Sequence, residues 1–450
     1  MKTNTGFLLV ATLSLASCST QKILNKQATQ SILSDSALAH AHVGISLYDV
    51  SDNKYLYNYQ GDHYFTPASN TKIVTCYAGM KYLGDSLPGI QYWEQDGAIY
   101  LQPTADPSLL HPEFAANPVI DFLKKTTLPV YITDANWKEQ ALGAGWSWDD
   151  YNDDYMVERS PLPVYGNVLR WVQEKNEEAE QDTSGFDQSV SIYSMPEVNW
   201  NVKFSPDNGK KNFFVQRSQA ENTYTITQGA EKKKVQQEVP FITNGLQAAL
   251  ELLPDTIGKA IIIAKDLPFK ADRAMHTIHS QRTDSLFRPM MHRSDNFYAE
   301  QTLLMVSAAK LGGLISDRRI IDTLLKTDLR DLPQQPRWVD GSGLSRFNLF
   351  TPQDFVTILL KMQQEIGMDR IKKVFPTGGC GTLASYYKKD SGYIYAKTGS
   401  LTGVLALSGY LYTKKNKLMV FSVLINNHQG SATAIRRRVE AFITQVREKY

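Results

Sequence analysis

Residues 67–75 have the sequence PASNTKIVT, in which a serine is followed three positions later by a lysine. The stretch predicts a helix that begins near Ser69, where serine is favoured and backbone N–H groups are still unpaired. Those free donors suit a developing oxyanion. Lys72 lies one turn further on the same helix face, so its amine could take the proton of the Ser69 hydroxyl. The stretch therefore predicts a nucleophilic serine with a lysine base.

Two further short motifs follow in chain order, SDN at 294–296 and KTG at 397–399. With the first motif they resemble the S-x-x-K, S-D-N and K-T-G set of penicillin-binding proteins and serine β-lactamases. Each motif alone has an ordinary explanation, as a helix cap, a polar turn or a strand end. Three matches in this order are a much rarer event by chance. The set predicts a serine acyl-transferase that acts on D-alanyl peptides.

The residues of the second and third motifs have separable predicted roles. A serine–lysine pair works only if the pKa of Lys72 falls, and Lys397 is the candidate for the nearby cation that lowers it. Ser294 could relay the proton to the leaving amine, and Asn296 could hold a substrate amide. The catalytic set predicted from the sequence therefore comprises these four residues and Ser69.

Charge and cysteine content limit the other functions that the chain could have. The 48 basic and 46 acidic residues leave a net charge of +2, which gives no reason to expect a nucleic-acid partner. Three cysteines are too few for a disulfide-rich scaffold or a four-cysteine zinc site. Cys76 and Cys380 could pair in an oxidising compartment or remain free thiols. Metal-binding and nucleotide-binding motifs are lacking, so neither a metal nor another cofactor is predicted.

The N-terminus reads as an export signal. Lys2 supplies a positive start, and the apolar stretch 7–16 is too short to span a bilayer. Residues 15–18, LASC, resemble the bacterial lipobox, so Cys18 would carry lipid and anchor the mature protein to a membrane. The alternative is an ordinary secretory signal cut near Ser17. Under both interpretations the protein is exported. The lipobox predicts a cell-envelope lipoprotein that faces the periplasm, and it leaves open whether the inner or the outer membrane carries it.

Strand patterns at the two ends of the chain predict one sheet. The runs 43–47 and 55–59 flank a turn and predict a β-hairpin. Three strand-like runs at 393–396, 404–412 and 417–425 are followed by an amphipathic helix. Antiparallel neighbours are the economical arrangement of such runs. We therefore expect an α/β (α+β) domain whose antiparallel sheet has helices on its faces.

The interval between Lys72 and Ser294 is far longer than a loop, so it must hold inserted structure. Residues 195–240 look β-rich, 246–253 are helical in pattern, and 261–264 form a candidate buried strand. The predicted division is a lipoprotein signal peptide at 1–17, a tether and the start of the first helix at 18–40, a catalytic domain at 41–94 and 271–450, an inserted domain II at 95–190 and 241–270, and an inserted β-rich domain III at 191–240.

Further stretches resemble the low-molecular-mass class C penicillin-binding proteins of peptidase family S13, the D-alanyl-D-alanine carboxypeptidase/endopeptidase family. Residues 340–348, DGSGLSRFN, are similar to that family's D-G-S-G-L-S-R-x-N stretch, and 292–300 are similar to its S-D-N helix. The long insertion after S-x-x-K is a hallmark of the family, and the resemblance covers roughly 40–450. It implies a β-lactamase/transpeptidase-like domain interrupted by inserted mixed and β-rich domains.

The resemblance also implies a reaction. Ser69 would attack the D-Ala-D-Ala carbonyl of a peptidoglycan stem peptide, D-Ala would leave, and water would hydrolyse the acyl-enzyme. Cross-links could be cut in the same way, and β-lactams would trap the same serine as inhibitors. The balance of carboxypeptidase and endopeptidase activity, the preferred third stem residue and the oligomeric state stay open.

Substrate-binding residues follow from the same resemblance, which places K-T-G on an edge strand beside the active-site helix. Gly399 would allow close approach of a substrate, and the Ser400 N–H would be a second oxyanion donor. Thr398, with Lys397, would meet the terminal carboxylate of the substrate. In some members an arginine and an acid hold the side-chain end of the stem peptide. The matching residues here are Arg346 and Asp150, although Asp149 fits the second position equally well.

Three alternatives remain from the sequence. A serine β-lactamase would share the motifs but would need a positioned acid for fast deacylation, and the large insertion argues against it. An esterase of the same fold would bind penicillin weakly or not at all. A non-catalytic cell-wall binding module would have lost motif residues, whereas all of them are present.

Overall fold

The computed structural model of this chain describes residues 22–175, 190–205, 212–230, 233–267, 269–270 and 273–450. The predicted signal peptide and Cys18 lie outside these ranges. The helices are α1 (Thr71–Tyr82), α2 (Pro118–Lys125), α3 (Gln247–Ile257), α4 (Thr283–His292), α5 (Asn296–Lys310), α6 (Asp317–Lys326), α7 (Pro352–Ile366), α8 (Met368–Val374) and α9 (Ala432–Lys449). An additional helical stretch at 22–28 continues into a π-helical turn at Thr29–Leu33.

The strands are β1 (His42–Asp49), β2 (Lys54–Tyr59), β3 (Ser86–Gln95), β4 (Ala98–Pro103), β5 (Val130–Ile132), β6 (Val168–Lys175), β7 (Val190–Met195), β8 (Asn201–Phe204), β9 (Phe214–Arg217), β10 (Thr223–Thr227), β11 (Val235–Pro240), β12 (Ile262–Ile263), β13 (His276–Arg282), β14 (Ile394–Leu401), β15 (Val404–Tyr412) and β16 (Leu418–Asn426). Contacts between residues divide the chain into two compact units.

The first unit holds residues up to Lys81, Phe287–Asp295 and Ile321–Tyr450. Its five-stranded sheet has the order β14-β15-β16-β1-β2, and every neighbouring pair is antiparallel. The N-terminal hairpin and the three C-terminal strands therefore join in one sheet, as the strand patterns predicted. The fold class expected from the sequence, a mixed α/β domain with an antiparallel sheet, is confirmed.

Helices cover both faces of this sheet. α7 packs against β16, β1 and β15, and α9 packs against β15 and the N-terminal helical stretch. The strands β15 and β16 are buried along nearly their whole length, which explains their almost continuous apolar sequences. The residues of α9 that recur at helical spacing are all buried: Ile435, Val439, Phe442, Ile443 and Val446. This core fixes β14, the strand that carries the KTG motif, at the edge of the sheet.

The second unit holds Tyr82–Leu286 and Asn296–Ile320. It contains a five-stranded sheet of order β12-β5-β4-β3-β13 and two three-stranded sheets, β11-β6-β7 and β8-β10-β9. The predicted helix at 246–253 is α3, and one strand of the expected β-rich region is β10. The interpretation of 261–264 as a buried strand is wrong: β12 is a two-residue edge strand, and Ile262 is 51 % exposed.

A buried ion cluster holds the last part of the second unit together. Arg159 donates to Asp317 at 2.6 Å and lies 3.5 Å from both Glu300 and Glu139. Burial, followed by the charge of Asp317, raises the pKa of Glu139 to about 7. Removing a single partner would leave buried charges without compensation, so the cluster ties α5 and α6 to the segment around Arg159.

The unit boundaries differ from the predicted catalytic segments. Residues 82–94 and 271–286 contribute β3 and β13 to the sheet of the second unit, and 296–320 also belong to that unit. The division of the inserted region into domains II and III stays a prediction. Cys76 is buried and Cys380 is exposed, and the two do not form a disulfide bond with each other. Within the described ranges, no helix has the length and apolar character needed to cross a membrane.

Candidate active site

The serine of the first motif lies at a tight turn that leads into α1. Ala68–Asn70 form a single 3₁₀ turn, and the α-helix begins at Thr71. Ser69 is thus inside the turn rather than at a cap position. Lys72 is fully buried, and its Nζ lies 3.0 Å from Ser69 Oγ. The predicted pairing of nucleophile and base is therefore geometrically in place, at hydrogen-bond distance for a proton transfer.

A second contact of Lys72 orients its amine. Nζ donates a hydrogen bond of 2.8 Å to the Ser342 carbonyl oxygen, which can only accept. One turn further along α1, Thr75 Oγ1 donates to the Gly341 carbonyl oxygen at 2.6 Å. Two neighbouring carbonyl groups of one loop are thus bound by two residues of the active-site helix. A neutral Lys72 that donates to Ser342 keeps its lone pair available for the Ser69 proton.

The loop at 340–348 is built around one buried carboxylate. Asp340 accepts hydrogen bonds from the backbone N–H of Gly343 at 2.8 Å and of Ser345 at 2.7 Å, and from the Asn348 amide at 2.7 Å. These bonds fix the backbone that presents the Ser342 carbonyl. The sequence analysis used this stretch only for the family resemblance and missed its positioning role. The available signal was its density of Asp, Gly, Ser and Asn, which is typical of hydrogen-bonded turns.

Gly343 brings this loop against the nucleophile turn. Its φ is +86°, and a Cβ atom built there would lie 1.9 Å from the Ala68 carbonyl oxygen. Ala68 itself has a φ of +47°, an uncommon conformation for a residue with a side chain. The residue before Ser69 is thus held in a strained conformation by a loop that fits only because position 343 lacks a side chain.

The lysine of the third motif meets the serine of the second. Lys397 on β14 is fully buried, and its Nζ lies 2.9 Å from Ser294 Oγ and 2.7 Å from the Thr398 carbonyl oxygen. Ser294 adopts a φ of +65° at the end of the segment after α4. Burial lowers the pKa of Lys397 well below its ordinary value of 10.5, and the positive charge of Lys72 lowers it further. The lowered pKa expected for Lys72 itself stays a prediction.

These two causes can be separated by titration. The Lys397 amine should titrate well below 10.5, and the folded chain then binds fewer protons than the unfolded chain between that pKa and 10.5. Its contribution to stability therefore rises with pH across this window. Lys72→Met should raise the Lys397 pKa but leave it below 10.5, because burial is the larger cause. NMR of ε-¹³C-labelled lysine, with Lys397→Met to assign the resonance, measures both values. A wild-type midpoint near 10.5 contradicts the expectation.

Gly399 allows the edge strand to approach the serine turn. A Cβ atom there would lie 2.6 Å from the Pro67 carbonyl oxygen and 3.1 Å from the Asn70 backbone nitrogen. The glycine was predicted to admit a substrate, whereas the contact seen here is with the turn that carries Ser69. Any larger residue at this position would push β14 away from the nucleophile.

Asn70 is a second residue that the sequence analysis missed. In the orientation that satisfies both ends of its amide, the nitrogen donates to the Lys397 carbonyl oxygen at 2.8 Å and the oxygen accepts from Ser408 Oγ at 2.6 Å. Ser408 on β15 also bonds to Ser422 on β16 at 2.8 Å. Asn70, at the first variable position of S-x-x-K, thus joins the start of the active-site helix to the KTG strand. The sequence alone did not indicate this role of Asn70, because Asn occurs in many turns.

The other residues of the KTG strand face the opposite side of the sheet. Alternation along β14 places Thr398 and Ser400 toward α9 when Lys397 and Gly399 face the serine turn. Thr398 lines a cavity on the α9 side, and Ser400 Oγ accepts a 2.7 Å hydrogen bond from Arg436 on α9. The neighbours of the Thr398 hydroxyl therefore give no support to its predicted contact with a substrate carboxylate. The direction of the Ser400 side chain has no bearing on the oxyanion-binding role predicted for the Ser400 backbone N–H.

Of the three remaining predicted residues, one lies in the first unit and two lie in the second. Arg346 is exposed in the first unit and donates to the Thr402 carbonyl oxygen at 3.1 Å. Asn296 starts α5 in the second unit and donates to the Tyr155 carbonyl oxygen at 2.9 Å. Asp150, also in the second unit, lies in a 3₁₀ turn and bonds to the Tyr155 side chain. The roles predicted for these three residues stay predictions.

Within the first unit, the structure brings together Ser69, Lys72, Ser294 and Lys397. The described residues contain no group of three or more His, Cys, Asp or Glu side chains arranged to hold a metal ion. The chemistry available is that of two serine hydroxyl groups, each at hydrogen-bond distance from a buried lysine amine. Such a set supports transfer of an acyl group to the serine.

Known proteins are similar to this chain in both sequence and architecture. The model of the D-Ala-D-Ala carboxypeptidase 3 (S13) family matches residues 25–446. A D-alanyl-D-alanine carboxypeptidase of Actinomadura sp. (strain R39) is 25 % identical over 472 aligned positions, which cover 94 % of this chain and 85 % of the relative. The D-alanyl-D-alanine carboxypeptidase DacB of Haemophilus influenzae is 22 % identical, with 86 % of each chain covered.

The crystal structure of penicillin binding protein 4 from Haemophilus influenzae has a similar fold, with a TM-score of 0.69, 19 % identity, and coverage of 94 % of this chain and 98 % of that one. The fold and the serine–lysine site define the class of serine hydrolases with a β-lactamase/transpeptidase-like domain. This chain belongs to the D-Ala-D-Ala carboxypeptidase 3 (S13) family. It is therefore a serine-type DD-peptidase, an enzyme that hydrolyses D-alanyl-D-alanine bonds.

Proposed function

We propose that Ser69 is the nucleophile of this peptidase and that Lys72 is its general base. The observation that carries the proposal is the 3.0 Å separation of Lys72 Nζ and Ser69 Oγ in a site where Lys72 is fully buried. A serine hydroxyl is a weak nucleophile unless a base removes its proton as it attacks. The Ser342 carbonyl oxygen orients the base, because it accepts a second hydrogen bond from Nζ at 2.8 Å.

In the proposed acylation step, Ser69 Oγ forms a bond to the carbonyl carbon of the penultimate D-alanine. The peptide C–N bond breaks, and the Ser69 proton passes through Lys72 to the leaving amine. Ser294, which accepts a 2.9 Å hydrogen bond from Lys397 Nζ, is proposed to complete this proton transfer. D-alanine leaves with that proton, and a water molecule then hydrolyses the ester and supplies the proton that restores the Ser69 hydroxyl group.

Backbone N–H groups of Ser69 and Ser400 are proposed to bind the oxyanion of the tetrahedral intermediate. The close approach of Gly399 to the serine turn supports this pairing, because it brings β14 beside the nucleophile. Lys397 is proposed for the substrate carboxylate without Thr398, whose side chain lines the cavity on the α9 side, and Asn296 is proposed for a substrate amide. Arg346 and Asp150 are proposed for the side-chain end of the stem peptide.

The proposed substrates are peptidoglycan stem peptides, and cross-linked peptides would react by the same steps. The relatives from Actinomadura sp. and Haemophilus influenzae bear the name D-alanyl-D-alanine carboxypeptidase, which favours removal of the terminal residue. β-Lactams are proposed as inhibitors that acylate Ser69. For location, we propose export and anchoring through a lipid on Cys18, which keeps the enzyme at the cell envelope.

Acylation by a β-lactam tests the nucleophile directly. The purified protein is incubated with a fluorescent penicillin, separated by denaturing electrophoresis and digested for peptide mapping. We expect one stable adduct on the peptide that contains Ser69, together with release of D-alanine from a stem peptide in a parallel assay. An adduct on another residue refutes the assignment of Ser69. Rapid penicillin turnover without an adduct points to a β-lactamase, and neither adduct nor turnover points to an esterase or a binding module.

A further inference from the structure

The two compact units differ strongly in charge. In the first unit 27 lysines and arginines exceed 15 aspartates and glutamates, which leaves a net charge of +12. In the second unit 31 acidic residues exceed 21 basic ones, which leaves −10. The small net charge of the whole chain is thus the difference between a basic unit and an acidic unit. A unit with such an excess of positive charge attracts anionic surfaces, and the peptidase reaction proposed above uses few of these charges.

The N-terminal helical stretch presents part of this charge to solvent. Lys22 and Lys26 are exposed and lie about one helical turn apart, and Ile23 between them is 45 % exposed. Neither lysine forms an ion pair with another of the described residues. Like charges at this spacing on one helix repel each other, so a negatively charged surface would relieve their repulsion. The exposed side of the stretch therefore combines two unpaired cations with one apolar side chain.

The opposite side of the stretch is fixed to the first unit. It belongs to the same hydrophobic core as the buried side of α9. Asp35, which follows the stretch, pairs with Arg438 of α9 at 2.9 Å. Three residues of the stretch at helical spacing are fully buried: Leu24, Ala28 and Ile32. A surface that meets the exposed side of this stretch therefore also meets the basic first unit.

The position of the stretch in the chain selects the surface that it meets. Cys18, the proposed lipid attachment site, precedes Lys22 by four positions in the sequence. Four residues of chain span at most about 14 Å. With the lipid inserted in a bilayer, the beginning of the stretch is therefore held close to the headgroups. This step rests on the proposed lipidation of Cys18.

From these observations we infer that the first unit lies on an anionic membrane surface through the exposed side of the N-terminal stretch. We call this side the tether-side face and define it by Lys22, Ile23 and Lys26. The two ammonium groups pair with anionic headgroups, and Ile23 enters the boundary between headgroups and acyl chains. The net positive charge of the unit adds a longer-range attraction. The lipid thus holds the protein at the membrane, and the face sets which side of the first unit meets it.

Sedimentation with lipid vesicles tests the face without the lipid anchor. The mature chain, residues 18–450, carries Cys18→Ser so that it cannot be acylated. We expect it to bind vesicles containing about a third phosphatidylglycerol at least about tenfold more tightly than pure phosphatidylcholine, and to be released as salt rises to about 0.5 M. Lys22→Gln with Lys26→Gln should weaken this binding at least about tenfold, because each lysine near an anionic surface contributes about fivefold.

The matched control is Lys326→Gln with Arg330→Gln, which removes the same charge from two exposed residues of the first unit. Their buried neighbours Ile321 and Leu324 are not part of the core that holds the N-terminal stretch. This control should weaken vesicle binding by less than about threefold, since charges beyond the screening length contribute little. Equal weakening by the two double variants overturns the inference, as does unchanged binding after loss of Lys22 and Lys26.

An anionic cell-wall polymer is the competing partner. Binding to isolated cell walls that depends on Lys22 and Lys26, without binding to vesicles, overturns the membrane assignment. Because the tested chain carries no lipid, vesicle binding reports on the tether-side face and not on the lipidation of Cys18. Penicillin labelling of the same preparations should be equal in all variants and reports on the peptidase separately, so failure of either proposal is recognised without the other.

Discussion

Ser69→Ala should abolish labelling by penicillin and lower the release of D-alanine by about 10⁶-fold, the scale of loss when a serine hydrolase loses its nucleophile. The reason is chemical: Lys72 remains in place, but no hydroxyl group is left 3.0 Å from its amine to carry the acyl group. The measurement combines fluorescent-penicillin gels with a D-alanine release assay on a synthetic stem peptide.

A matched control for this variant is Ser342→Ala. Ser342 contacts Lys72 through its backbone carbonyl oxygen, which the substitution keeps. We expect its labelling to persist and its rate to stay within about tenfold of the wild type, because the oriented base is preserved. If Ser69→Ala keeps either penicillin labelling or substantial D-alanine release, Ser69 is not the nucleophile.

Gly343→Ala should be the most damaging change outside the reacting groups. The new Cβ atom would lie 1.9 Å from the Ala68 carbonyl oxygen, at a φ of +86° that alanine avoids. Neither backbone can move freely, because Asp340 binds the Gly343 N–H and the serine turn leads directly into α1. We expect a loss of about 3 kcal/mol or more in stability. We also expect at least about 100-fold lower acylation of Ser69, since a shift of the turn misplaces the nucleophile.

Gly367→Ala separates the two causes of that loss. Gly367 has the same φ of +86°, but a Cβ atom built there meets no atom within 4 Å. This control carries the backbone strain without the contact, so it should cost about 1–2 kcal/mol, less than Gly343→Ala, and leave acylation intact. Thermal denaturation and the rate of penicillin acylation measure both variants. Equal losses in the two would show that the contact with Ala68 is unimportant.

The parts of this fold that the sequence predicted are those coded locally. Alternation in β1 and β2, and the apolar runs of β15 and β16, identify strands without reference to the rest of the chain. The S-x-x-K spacing similarly predicts that Ser69 and Lys72 meet, because three residues of helix separate them. Their observed distance of 3.0 Å follows from that local geometry.

The parts that the sequence did not predict depend on contacts between distant residues. Nothing near Asp340 indicates that its loop would bind Lys72, because the two meet only after the chain has folded. The same is true of β3, which pairs with β13 nearly two hundred residues later and thereby joins the second unit. The direction of Thr398 was missed for another reason: motif resemblance carries no strand register, whereas alternation along β14 decides the face.

The pairing of β1 with β16 has a consequence for how the protein becomes active during its synthesis. β1, the first of the described strands, is aligned residue by residue with β16, the last of them, from His42 opposite Asn426 to Asp49 opposite Met419. Lys397 lies on β14, two strands beyond β16 in the same sheet, and cannot reach its place until that sheet has formed. A nascent or truncated chain would therefore hold Ser69 without its surroundings and would be inert. Reactivity toward penicillin would thus report when the last step of folding is complete. A pulse of fluorescent penicillin would label only fully folded molecules.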